Sequence, residues 1–243
     1  MQRFIKMIGT RLLAGAVLTA VFFSPNIARA DALTSIDKAY ETYRTASSYL
    51  RTENTGLALL DLAATVDTWK EVQSAPAPAP LAKDPKYSDA INEIAAMLEK
   101  GLREAEAGDP KAARAAITPV RDVLFDLRRR NGMDTYADCI TELNTAMDAV
   151  FAYRRPAPDM SDSKITDGMR KASKIYEQTL RKCRALAPAT ISSDPEFVRL
   201  FDGTKNSVES MYPAIDSGSA NAVINVIREL ISFDRIIFFR FGG

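Results

Sequence analysis

Of the side chains that most often do chemistry, histidine is missing from this chain and cysteine occurs only twice. No histidine occurs among its 243 residues. Ser-His-Asp and Cys-His nucleophiles, a histidine general base, HExxH zinc chemistry and histidine-ligated haem are therefore excluded. The phosphate-cradling, dinucleotide-binding and nucleophile-elbow spacings GxxxxGK[ST], GxGxxG and GxSxG are absent, as are CxxC and the DxDxDG calcium loop. Without CxxCH, covalent c-type haem is excluded too. Carboxylates recur at helical spacing, as in Asp122/Asp126 and Glu99/Arg103/Glu106. That pattern reads as solvated helix faces with i, i+4 pairs rather than a metal site. The methionines beyond residue 30 (Met97, Met133, Met147, Met160, Met169 and Met211) form no MxM or MxxM cluster. They read as core filler rather than copper ligands. No metal, no cofactor and no catalytic residue is expected from this inventory.

The candidates that remain are binding residues. Tyr43-Arg44 recurs as Tyr153-Arg154, near the expected end of a helix. A repeated arginine can hold an anion or tie down the loop that follows it. Trp69 can line a pocket or fill core. Asp234-Arg235 lies inside the very apolar C-terminal segment. It reads either as a ligand anchor on an inter-repeat surface or as part of a solvated strip with Arg228 and Glu229. The basic clusters Arg128-Arg129-Arg130 and Arg154-Arg155 fall at expected helix C-termini, where cations complement the helix dipole.

Position along the chain says where these residues act. Arg3, Lys6 and Arg11 precede the apolar run 12–23, and Ala28-Arg29-Ala30 follows with small residues at the cleavage-site positions. Residues 1–30 are thus expected to be a secretory signal, cleaved after Ala30, and the protein to be periplasmic. The apolar run is shorter than the ~20 residues that cross a bilayer, so no transmembrane segment is expected after cleavage. Cleavage removes Arg3, Lys6, Arg11 and Arg29 from a formal net charge of +1, leaving −3. Such a chain has no general attraction to nucleic acid. In an oxidising compartment two cysteines pair, and Cys139 and Cys183 fall at the same end of neighbouring antiparallel helices. Their disulfide is expected to add roughly 3–4 kcal/mol of stability.

The elements that position all this are helices, and they recur. Shifted so that Asp84-Pro85-Lys86-Tyr87 meets Asp194-Pro195-Glu196-Phe197, the chain also brings Gly108 onto Gly218, Gly132 onto Gly242 and Ala77-Pro78-Ala79 onto Ala187-Pro188-Ala189. The reading is a tandem duplication of a unit of about 110 residues, with a first repeat at 31–132 and a second at 133–243. Apolar stripes of helical period run through each repeat, for instance Tyr87, Ile91, Ile94, Leu98 and Leu102, and no stretch alternates like a strand. Each repeat reads as a four-helix unit, giving an all-α fold with eight helices. Asp84-Pro85, Asp109-Pro110 and Asp194-Pro195 are expected to open helices as N-cap and first residue. Pro119 is expected to kink the last helix of the first repeat. The last helix, 220–241, is apolar over more than one face and is expected between the repeats, with an exposed partner patch as the alternative.

Export, repeat length and helix order resemble the periplasmic four-helix bundles of the cytochrome c′ and cytochrome b562 type. That resemblance lies at the level of the scaffold. It implies haem, but the ligands this would need, a histidine and in the covalent members CxxCH, are absent. The function expected is non-catalytic: an exported helical-bundle protein that binds a protein partner or a small ligand at the inter-repeat surface. A carrier of metal or cofactor through carboxylate or Met ligands is the alternative. A carboxylate-based enzyme comes third, requiring two acids that converge in a cleft.

Overall fold

The computed structural model describes residues 32–242, and within them all regular structure is helical. The expected signal segment lies outside the described residues. Helix α1, Ala32–Arg51, is followed by α2, Thr55–Ser74, whose start is capped by Asn54 accepting from the Leu57 N–H. The Pro-rich stretch 75–80 is non-helical, as its composition requires, and leads into a single 3-10 turn, Leu81–Lys83. Helix α3 spans Tyr87–Glu106, α4 Pro110–Ile117 and α5 Val120–Arg130. The second half holds α6, Tyr136–Phe151; α7, Ser163–Leu186; the short α8, Ala189–Ser192; α9, Pro195–Asp216; and α10, Ala220–Phe241.

The helix boundaries follow local chemistry. Asp109 and Asp194 cap α4 and α9, each with proline in the first helical turn. Asp84-Pro85 behaves differently from its sequence reading, because α3 begins only at Tyr87. The Asp84 carboxylate is committed elsewhere: Oδ1 accepts the Lys86 N–H, while Oδ2 takes Arg130 and the Asn131 amide. These contacts hold it in a turn. Pro119 does more than kink its helix. Lacking an N–H and clashing with the turn before it, it splits the segment into α4 and α5. The first half therefore ends in two helices where one was expected, and α8 is a further short addition. Gly108 and Gly218 close α3 and α9 with φ of +79° and +68°, a conformation that favours glycine.

Each half buries its own core. Ile36, Tyr43, Leu62, Trp69, Ile94, Leu98, Ile117 and Leu124 belong to the first. Ile140, Leu143, Tyr176, Phe197, Phe201, Val208, Ile227 and Ile237 belong to the second. The α10 stripe faces the second core, and its last turn reaches α1, where the Phe239 ring meets Tyr49 edge-on with centroids 5.7 Å apart. The sulfurs of Cys139 and Cys183 stand at disulfide distance, with Cα atoms 5.4 Å apart, joining α6 to α7.

Polar ties cross between the halves and also run within the first. Arg128, expected to serve the helix dipole, instead turns inward and grips Asp138 of α6 through Nε (2.9 Å) and Nη2 (2.6 Å). Arg130 pairs with Asp84. The helix-end reading was incomplete for both, because it could not see the acids brought near by tertiary packing. Arg44 of α1 donates through Nη1 to the carbonyls of Phe238 (3.2 Å) and Phe239 (2.6 Å). These are among the last carbonyls of α10, at the negative end of its dipole, and that of Phe238 also accepts the Gly242 N–H.

Close packing within the first half sets one expected outcome. A Cβ added at Gly101 of α3 would lie 2.2 Å from Ile117 Cγ2 and 3.4 Å from the Ala113 carbonyl oxygen. Gly101→Ala is thus expected to destabilise the chain by about 1–3 kcal/mol through overpacking, despite the better helix propensity of alanine. Urea unfolding of variant and parent measures it. Equal midpoints would show that α3 and α4 separate at no cost.

Candidate functional site

A cleft of about 250 Å³ opens between the halves. Its walls come from α1 (Tyr43, Ser47, Ser48, Arg51), α4 and the break after it (Arg114, Thr118), α5 (Arg121), α6 (Asn144, Asp148) and α10 (Ile231, Asp234, Arg235, Phe238). Tyr43, Ser48 and Asp234 are buried, whereas Arg114, Thr118, Asp148 and Arg235 are exposed at its mouth. Four arginines face two carboxylates.

The inner end is a hydrogen-bonded polar cluster. Asp234 is only 4% exposed. Its Oδ2 accepts from the Asn144 amide at 2.9 Å, and its Oδ1 from the Tyr176 hydroxyl at 3.4 Å. Burial pushes the Asp234 carboxyl up to about 7, and the nearby Asp148 charge adds to the rise. The Asn144 hydrogen bond and the Arg121 guanidinium hold it back without reversing it. Arg121 Nη2 donates to Thr141 Oγ1 (3.1 Å) and Asn144 Oδ1 (2.8 Å), and its guanidinium sits 4.5 Å from the centre of the Phe238 ring. Burial opposes the charge on Arg121, but Tyr40, Tyr43 and Asp234 outweigh that and hold its pKa above the ordinary value. The Tyr43 hydroxyl donates to the Ile117 carbonyl (3.3 Å), and burial raises its pKa.

The mouth has a different character. Burial lowers the pKa of Arg51, and the charges of Arg235 and Arg114 lower it further. Three guanidinium groups thus share one region, and no salt bridge among the described residues includes any of them.

The residues singled out from sequence divide sharply. Asp234, Arg235 and Tyr43 line the cleft. Arg44, 8% exposed, is occupied in capping α10 and does not line it. Tyr153 and Arg154 lie in a 3-10 turn after α6, away from the cleft; Tyr153 packs against Gly168 and Arg154 lies over the Phe151 ring. The Tyr-Arg pairs therefore occupy unlike environments, one inside a helix and one in a turn. Trp69 is 2% exposed in the first core, and its indole N–H donates to the Ile91 carbonyl at 3.0 Å. Arg51, Arg114, Arg121, Asn144 and Asp148 were missed. For Arg121 and Asn144 a signal existed: each sits one turn after a core residue and one turn before another, Ile117 and Leu124 for the first, Ile140 and Met147 for the second.

Among the described residues, no group of three or more Cys, Asp or Glu gathers where a metal ion could sit. No helix among them is long and apolar enough to cross a membrane. No protein-family model, curated protein or solved structure matches this chain.

Proposed function

We propose that this is an exported, non-catalytic helical-bundle protein that binds a small ligand in the cleft between its two halves. One observation carries the reading: five helices drawn from both halves aim polar side chains into a single open space whose inner end holds a buried carboxylate, Asp234. Small-ligand sites commonly lie at such junctions, with apolar walls and a few convergent polar groups. Ile231 and Phe238 supply the apolar wall here. The test is native and denaturing mass spectrometry of the full chain purified from a periplasm. A stoichiometric extra mass is expected in the native spectrum and is expected to vanish in Ile231→Trp, which narrows the cleft at its apolar wall. A bare parent chain, or extra mass that persists in the variant, would remove this reading. The denatured mass also reads cleavage after Ala30.

A second reading, a carboxylate-based enzyme, has one observation behind it. Asp148 and Asp234 line the same cleft, one exposed and one buried with its pKa near neutrality. Turnover of the bound molecule by the parent chain but not by Asp148→Asn would favour it.

A further inference from the structure

We infer that Arg51, Arg114 and Arg235 form a binding site for a small dianion whose charge is spread over two or more oxygen atoms, such as a phosphoryl group or a dicarboxylate. The inference rests on the cleft reading and names the chemistry that cleft recognises.

Three observations support it. The first is convergence without compensation. Arg51 comes from the end of α1, Arg114 from α4 and Arg235 from α10, yet all three line the one cleft, and the charges of Arg114 and Arg235 bear on Arg51. None of the three belongs to a salt bridge among the described residues. Helix dipoles account for a cation in the last turn of α1 or α4, but not for bringing guanidinium groups of three helices to one mouth. Like charges held together cost free energy, and an anion placed among them removes that cost.

The second is the donor supply. Guanidinium groups match the planar oxygen pairs of carboxylate and phosphate, and hydrogen bonds between ions are roughly twice as strong as neutral ones. The Ser47 hydroxyl, half-buried, stands on the same wall.

The third is the arrangement of the carboxylates. Asp148 stands at the mouth, and buried Asp234 already accepts hydrogen bonds from Asn144 and Tyr176. Neither forms a salt bridge with the three arginines, so the positive charge stays open to a ligand. A monoanion would leave most of that charge uncompensated, whereas a dianion answers it.

The test is titration of the full chain with inorganic phosphate, succinate, acetate and chloride at one ionic strength, followed by calorimetry and thermal shift. Matched ionic strength removes general screening from the comparison. Phosphate or succinate is expected to bind at least tenfold more tightly than acetate. Arg114→Gln and Arg235→Gln are each expected to weaken that binding roughly tenfold or more. Arg103→Gln, which breaks an exposed pair with Glu99, leaves it unchanged. Both arginines tested are exposed, so their replacement leaves the fold intact. A response to phosphate alone assigns a phosphoryl group, and a response to succinate alone a dicarboxylate. Equal responses to acetate and phosphate, or binding indifferent to Arg114→Gln and Arg235→Gln, overturn the inference. A native ligand displaced by Ile231→Trp, with no response to either dianion, overturns it while sparing the cleft reading. Dianion binding that needs Arg114 yet survives Ile231→Trp upholds it and places the anion at the mouth, clear of the Ile231 wall.

Discussion

Replacing Asp138 with alanine is expected to lower the stability of the chain by about 3–5 kcal/mol, the cost of leaving one partner of a buried pair alone. Arg128 is 5% exposed and Asp138 6%. Their contact is two-pronged, with Arg128 Nε and Nη2 both on the carboxylate. Without Asp138 the guanidinium stays among apolar neighbours with its charge unanswered, and water reaches it only if α5 and α6 part. The same carboxylate closes the capping box at the start of α6: its Oδ2 accepts from the Thr135 backbone N–H and hydroxyl. Part of the loss is therefore that of an N-terminal cap, typically about 1 kcal/mol. The double variant Arg128→Met with Asp138→Leu removes both charges and keeps the volume. It is expected to regain most of the loss, because a buried ion pair is worth little more than well-packed apolar groups. Urea unfolding of the parent, Asp138→Leu, Arg128→Met and the double variant closes the cycle, with Asp138→Ala measured beside them. A single-variant loss below about 1 kcal/mol, or a double variant as unstable as the two losses added, would show that water reaches the pair.

How far the fold was legible follows from which forces are local. Helical periodicity, the Asp-Pro starts at 109 and 194, and the glycines at 108 and 218 depend on neighbours within a turn or two, and the helices stand where those signals put them. Asp84 looked the same in sequence as Asp109 and Asp194, but its carboxylate is claimed by Arg130 and Asn131, more than forty positions away. No local rule anticipates that. The arginines at 128–130 do end α5, as the helix-dipole reading expects, but the carboxylates that Arg128 and Arg130 grip are brought near by tertiary packing and are not visible in the sequence.

The cleft was legible only in part. Asp234 stood out because it interrupts an apolar helix. Arg121 and Asn144 interrupt theirs in the same register, each between core positions a turn away on either side. Their helices are more mixed in composition, so the interruption drew less notice. Each of the three faces the junction of the two halves rather than the centre of a bundle. Arg235 shares the Asp234 signal, since both interrupt the same apolar helix, but Arg51 and Arg114 carry no sign of this kind, and nothing in the sequence joins the three. They lie on exposed or half-exposed faces, where charge is ordinary, and only the tertiary crossing of α1, α4 and α10 turns three ordinary residues into a group.

Asp234→Asn is expected to change the pH dependence of stability more than any other replacement in the cleft. An ordinary aspartate loses its proton near 3.8, and Asp234 keeps it to about 7 in the folded chain. Between those values the folded chain holds the proton and the unfolded chain does not, so this group makes stability fall as pH rises. Below about 4 both states are protonated and its contribution vanishes; above about 7 both are ionised and the penalty is constant. That interval corresponds to a penalty of roughly 4 kcal/mol. Asparagine does not titrate, and its side-chain oxygen can accept from Asn144 or Tyr176 as the carboxylate does. Relative to the parent, the variant is therefore expected to gain stability steadily from about pH 4 to pH 7 and to hold that gain at higher pH. The groups facing Asp234 fix the sign: Arg121 on α5 favours the ionised form, Asp148 on α6 opposes it, and burial outweighs both. Chemical unfolding of parent and variant at intervals from pH 4 to pH 9 reads the difference directly. Parallel curves across that range would mean that Asp234 ionises like a solvated carboxylate, and that the inner end of the cleft is wet.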